Sequence, residues 1–103
     1  MKIRVIGSGS WATALAQVLA DNGQDVKIYG ISQNEVDDIN NNHQNSKFYP
    51  GVDINPNLTA TTNMSIVKDA DVVLLGVPVM ALESVCLQLK ELLNHRVYVI
   101  NVA

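Results

Sequence analysis

At 103 residues, with 48% hydrophobic and 17% charged side chains, the chain has the make-up of one globular domain and not of a disordered segment. Its formal net charge of -3 and its scattered lysines and arginines argue against a nucleic-acid surface, which needs clustered positive charge. That length holds one core and leaves no room for a second domain of similar size. Ile3 to Ile6 is a short apolar β-rich run ended by glycine. Trp11 to Ala20 follows, with Trp11, Ala14, Leu15, Val18 and Leu19 at helical spacing. Asp21-Asn22-Gly23 stops that helix, Gly23 being the expected left-handed residue, and Val26-Lys27-Ile28-Tyr29 is the next strand.

Gln33 to Asn40 reads as a helix with Val36 and Ile39 turned inward. Asn41 to Ser46 reads as loop, because Asn and Ser compete with helix through local hydrogen bonds. Pro50-Gly51 and Asn55-Pro56-Asn57 are turns, Leu58 to Thr62 is a Thr-rich third strand, and Met64 to Ala70 is a short helix. Val72-Val73-Leu74-Leu75 does not alternate, as expected of a parallel strand covered on both faces, and is placed at the centre of the sheet. Pro78 opens the next helix, whose stripe is Leu82, Val85, Cys86, Leu89, Leu92 and Leu93; Cys86 is thereby read as a buried core thiol. Asn94-His95 closes it, and Val97 to Ile100 is the fifth strand. The fold class is therefore α/β, a doubly wound parallel sheet of Rossmann type, with five strands in the order 3-2-1-4-5. Residues 1–103 form one domain that stops at the end of strand five, which reads as the N-terminal fragment of a larger protein.

The opening strand leaves no space for a secretion leader, and Val72 to Leu82 falls short of the roughly 20 residues of a membrane helix, so the expected setting is cytoplasmic. Gly7-Ser8-Gly9-Ser10-Trp11-Ala12 fits G-x-G-x-x-G/A between a strand and an amphipathic helix. In that pattern Gly7 makes the turn, Gly9 lets the backbone approach a pyrophosphate, and Ala12 allows the helix to pack closely on the strand. The helix-start amides and the helix dipole would receive phosphates without a lysine, which points to a dinucleotide, NAD or NADP, as cofactor. Tyr29 at the end of strand two, and Ser32 just past it, are placed beside the cofactor. The segment Tyr29-Gly30-Ile31-Ser32-Gln33 lacks both the acid that holds a ribose 2'-hydroxyl and an Arg for a 2'-phosphate, although Ser32, Gln33 and Lys47 can donate hydrogen bonds. Val77 and Pro78, after strand four, would line the path toward the nicotinamide. His43 and His95 have no identifiable partners, and one Cys with two distant His gives no metal-ligand spacing, so neither catalytic nor metal residues are assigned.

These residues resemble the bacterial-type NAD(P)-dependent glycerol-3-phosphate dehydrogenases along the whole chain. Gly7 to Ala16 is similar to G-x-G-S-W-G-T-A-L-A, Phe48-Tyr49-Pro50-Gly51 to Y-L-P-G, Leu58 to Thr62 to L-x-A-T-T/S, and Ala70 to Pro78 to A-D-x-x-x-x-A-V-P. Ala12 replaces the family's first-turn glycine, and Ile31 stands where an Arg is frequent, which leaves the 2'-phosphate contact open. The resemblance implies that Ser10 and Trp11 contact the cofactor and that Phe48 approaches it. It also implies a full-length enzyme that interconverts sn-glycerol 3-phosphate and dihydroxyacetone phosphate by hydride transfer, compatible with a homodimer. The substrate-binding and catalytic groups would then lie beyond Ala103, and this segment alone would turn over nothing. The alternatives are the cofactor domain of a ketopantoate reductase or sugar-nucleotide dehydrogenase, or a non-catalytic nucleotide sensor.

Overall fold

The computed structural model describes residues 1–102, so the expected domain end at Ala103 lies outside the described residues. Five parallel strands run β1 (Lys2–Ile6), β2 (Asp25–Tyr29), β3 (Thr59–Thr61), β4 (Val72–Leu75) and β5 (Tyr98–Asn101). They pair in the order β3-β2-β1-β4-β5, as the alternation of strand and helix patterns anticipates. The central strand is β1, not β4 as expected from its unbroken apolar run. That run reports burial on both faces, which any interior strand of a covered sheet has.

Successive strand residues alternate between two cores. Ile3, Val5, Val26, Ile28 and Leu74 face one side with Ala12, Ala16 and Ala20 of α1 (Ser10–Asp21) and Val36 of α2 (Gln33–Asp37). Ile6, Val73 and Leu75 face the other with Met64 and Val67 of the 3-10 helix Met64–Asp69, and with Val85 and Leu89 of α3 (Val79–Leu92). The register is set by β1 against both neighbours, Ile6 lying opposite Tyr29 and Leu75.

Two expected helix faces are corrected. The inward row of α1 is Ala12, Ala16 and Ala20, whereas Trp11 and Val18 are more than half exposed. The reason is the close approach of helix to sheet at its first turn: a Cβ on Gly76 would lie 2.9 Å from the Ala12 methyl, so position 12 takes only a small side chain. In α3, Val85 and Leu89 are buried but Cys86 is exposed, because the stripe facing the sheet is narrower than its apolar periodicity suggests.

The Asn-rich stretch is also more ordered than expected. A π-helical segment, Asp38–Asn42, continues α2. Its polar side chains bond elsewhere than to their own helix backbone, which removes the competition that disfavours helix. Asn42 donates to Asp38 Oδ1 at 2.9 Å. The Asn40 amide donates to Ala60 O at 2.9 Å and accepts from Ala60 N–H at 2.8 Å, covering the exposed edge of β3. His43 ends the segment in a left-handed conformation, φ 53°. Gly23 closes α1 with φ 83°, as its position after Asp21-Asn22 predicts.

Among the described residues, no helix is long and apolar enough to cross a membrane.

Candidate cofactor site

At the carboxyl ends of β1 and β4 the chain departs to opposite sides of the sheet, and the two strand ends open on a cavity of about 820 Å³. Its floor is the turn between β1 and α1. Gly7 has φ 129°, and a Cβ there would stand 2.6 Å from Gly76 O, so only glycine lets the two strand ends pass this closely. The turn is held from below by Gly7 N–H on Tyr29 O at 2.8 Å and Gly76 N–H on Ile6 O at 2.9 Å.

Gly9 differs from Gly7 in every respect that matters here. It is extended (φ -72°, ψ -175°), a conformation open to any residue, and a Cβ on it would meet nothing within 4 Å. The space beside it is free. Gly9 is also the N-cap of α1 and supplies no side-chain cap, whereas α2 is capped by Ser32 Oγ and the 3-10 helix by Asn63. The first ladder bond of α1 is Thr13 N–H to Gly9 O at 3.0 Å, so the amides of Ser10, Trp11 and Ala12 have no acceptor within the helix. An anion at this turn would meet these donors and the positive end of the helix dipole.

Of the residues expected from the sequence, Gly7, Ser8, Gly9, Ser10, Trp11 and Ala12 line this cavity, as do Tyr29, Phe48, Val77 and Pro78. Ser32 does not. It caps α2, accepting from Glu35 N–H at 3.4 Å, and lines a second, more polar cavity of about 650 Å³ past the end of β2. Glu35 and Lys47 line both cavities. Lys47 Nζ lies 5.3 Å from the centre of the Phe48 ring. Trp11 is 58% exposed, and its indole N–H donates to Val102 O at 2.8 Å, bracing the first turn of α1 against the end of β5.

Two residues that sequence reasoning passed over hold the glycine turn. Asn45 is fully buried, and its Nδ2 donates to Ser8 O and to Thr13 Oγ1, both at 2.9 Å. Tyr49 Oη donates to Ser10 O at 2.8 Å. These contacts span 37 and 39 residues of sequence, and no local pattern announces them. His95 Nε2 lies 2.8 Å from Ala70 O, away from the cavity.

An open parallel α/β sheet with a glycine turn and free helix-start amides at its switch point is the architecture of the dinucleotide-binding domains. A family model described as the NAD-dependent glycerol-3-phosphate dehydrogenase N-terminus matches residues 2–103. The chain belongs to this family. A glycerol-3-phosphate dehydrogenase [NAD(P)+] from Streptococcus uberis is 42% identical over 97 residues, which cover 93% of this chain and 29% of that relative. The crystal structure of the Coxiella burnetii glycerol-3-phosphate dehydrogenase superposes with a TM-score of 0.90 at 28% identity, over 97% of this chain and 31% of that one. For glycerol-3-phosphate dehydrogenase from Saccharomyces cerevisiae the TM-score is 0.89 at 33% identity, over 98% of this chain and 33% of the other. The chain thus spans about a third or less of the length of these relatives.

Proposed function

We propose that this chain binds a nicotinamide dinucleotide in the cavity at the ends of β1 and β4. Within a full-length enzyme it would present that cofactor for hydride transfer between sn-glycerol 3-phosphate and dihydroxyacetone phosphate. The supporting observation is Gly9: it has no conformational need to be glycine, and the space its missing side chain leaves open adjoins unbonded helix-start amides. The amides of Gly9, Ser10, Trp11 and Ala12 would hold the diphosphate, and Val77 and Pro78 would form an apolar wall on the reacting side. The nicotinamide supplies the hydride chemistry; the protein binds, orients and excludes water. Names of the relatives carry both the activity and the choice of NAD or NADP, and the cytoplasm, where such small-molecule chemistry runs, is the setting that fits.

The surroundings of the β2 end favour NAD(H) over NADP(H). A ribose 2'-phosphate would be read there, where the lining of the second cavity includes Glu35, Asp37 and Asp38 against the single cation Lys47. Like charge disfavours the extra phosphate.

Fluorescence titration tests the reading, since the single tryptophan, Trp11, lines the cavity. NADH is expected to quench it, with NADPH weaker by about tenfold, equivalent to roughly 1.4 kcal/mol. Gly9→Val should weaken NADH by roughly a hundredfold in a variant that still folds, because the side chain fills ligand space and its Cβ meets no protein atom within 4 Å. Equal titration of the two chains would refute the site. Assay of the full-length protein with dihydroxyacetone phosphate and NADH tests the activity, and no consumption of NADH would refute it.

A further inference from the structure

We infer that Asn45 and Tyr49 are positioning residues for the diphosphate, acting as the two anchors of a strap laid across the glycine turn; this rests on the dinucleotide reading above. The strap is built around one acceptor, Asn45 O, which receives Phe48 N–H at 3.1 Å and Tyr49 N–H at 2.8 Å. Both ends are tied to the turn, Asn45 Nδ2 to Ser8 O and Tyr49 Oη to Ser10 O. Between the anchors, Lys47 and Phe48 line the cavity.

The peptide bond translates these anchors into donor geometry. Every described peptide is trans, so the N–H of each unit points opposite to its C=O. Ser8 C=O is fixed on the Asn45 amide and on Thr13 Oγ1, which donates to it at 3.2 Å. Gly9 N–H, the other end of that unit, is thereby aimed away from the buried pair. Without Asn45 the Ser8 carbonyl keeps only the Thr13 hydroxyl. The Ser8-Gly9 unit, with Gly7 before it and glycine's own freedom at Gly9, would be held less tightly, and the amide would be less preorganised as a donor. Tyr49 acts on the other side of the turn, holding the strap and its Phe48 against the first turn of α1.

Asn45 is fully buried, so its replacement also strains the fold; Tyr49→Phe removes only a hydroxyl and keeps the ring. The experiment compares Asn45→Ala, Tyr49→Phe, the double variant and Gly9→Val in the full-length chain. NADH and adenosine, which lacks the diphosphate, serve as the probes, and the Gly9 amide is followed by 1H–15N spectroscopy. Tyr49→Phe should weaken NADH roughly threefold to fivefold and Asn45→Ala about tenfold, the scale of a lost hydrogen bond. Adenosine affinity should change less than twofold in both, and the double variant should lose less than the product of the singles, since either cut frees the strap. The Gly9 amide signal should shift in Asn45→Ala, a response that a general loss of stability does not produce. Should Asn45→Ala fail to fold, Tyr49→Phe decides: NADH affinity within twofold of the parent, or NADH and adenosine weakened alike, overturns the inference. If Gly9→Val abolishes NADH binding while Asn45→Ala and Tyr49→Phe bind like the parent, the strap alone is wrong. If the parent and Gly9→Val titrate alike, the dinucleotide reading goes, and the strap with it.

Discussion

The two ends of β1 handle charge in opposite ways. From mid-strand Arg4 reaches toward the start, where it is 1% exposed and saturated: its guanidinium donates to Ile66 O at 3.1 Å, Asp25 O at 3.0 Å and the Asp69 carboxylate at 3.1 Å, with Asp25 Oδ1 at 3.4 Å. A buried cation in such a setting has its charge consumed by the protein and offers nothing to a ligand. At the other end of the same strand, Gly7 to Ala12 carry no charge at all, yet present unbonded amides at a helix start. On the proposed reading the anion site is the uncharged end: a net negative chain would accept a diphosphate there because the donors are main-chain groups whose partial charges need no counter-ion.

This contrast can be broken by substitution. The largest effect is expected at Gly7: Gly7→Ala puts a methyl 2.6 Å from Gly76 O at φ 129°, which should cost roughly 3–5 kcal/mol in urea unfolding. Gly9→Ala, two residues on, should leave the unfolding midpoint where it was. Equal destabilisation by the two alanines would end the distinction between a glycine kept for the backbone and one kept for a ligand. Next comes Arg4→Ala, expected to destabilise by roughly 2–4 kcal/mol through lost stem packing and charged hydrogen bonds. NADH affinity of the folded variant should stay within twofold, and a large loss would show that the buried cation does reach the site.

Acid gives the smallest effect. Burial pushes the Asp69 carboxyl up, but the charge and hydrogen bonds of Arg4, with help from Lys2, outweigh it and hold the group below its ordinary value of 3.8. Asp38 is held low by the Ser46 backbone N–H and the Asn42 amide. Carboxyls lowered in the folded state stabilise above their unfolded pKa and lose that contribution as pH falls through the folded one. Thermal stability should thus hold through neutral pH and drop below about pH 4, less steeply in Asp69→Asn. The Asp69 carboxylate is half exposed and Asp38 partly so, which keeps the change modest. An Asp69→Asn acid profile that overlays the parent would remove Asp69 from this account.

What the sequence determined alone was whatever depends on neighbours in the chain. Glycine spacing, apolar runs and stop signals act over a few residues, and they were enough for five strands, their order and the Gly7 to Ala12 turn. Even the inward positions Val36 and Ile39 followed from a period of one helix turn. Tertiary structure decided the rest. Which stripe of α1 turns inward depends on how close Gly76 lets the helix come, and Cys86 is exposed because of where α3 lies on the sheet. Ser32 was taken up as the cap of α2 and lines the second cavity instead of the first, while Asn45 and Tyr49 reached the glycine turn across 37 and 39 residues. A side chain's partner, unlike its propensity, is chosen only when distant segments meet, because hydrogen bonds form over about 3 Å and have no counterpart in sequence distance.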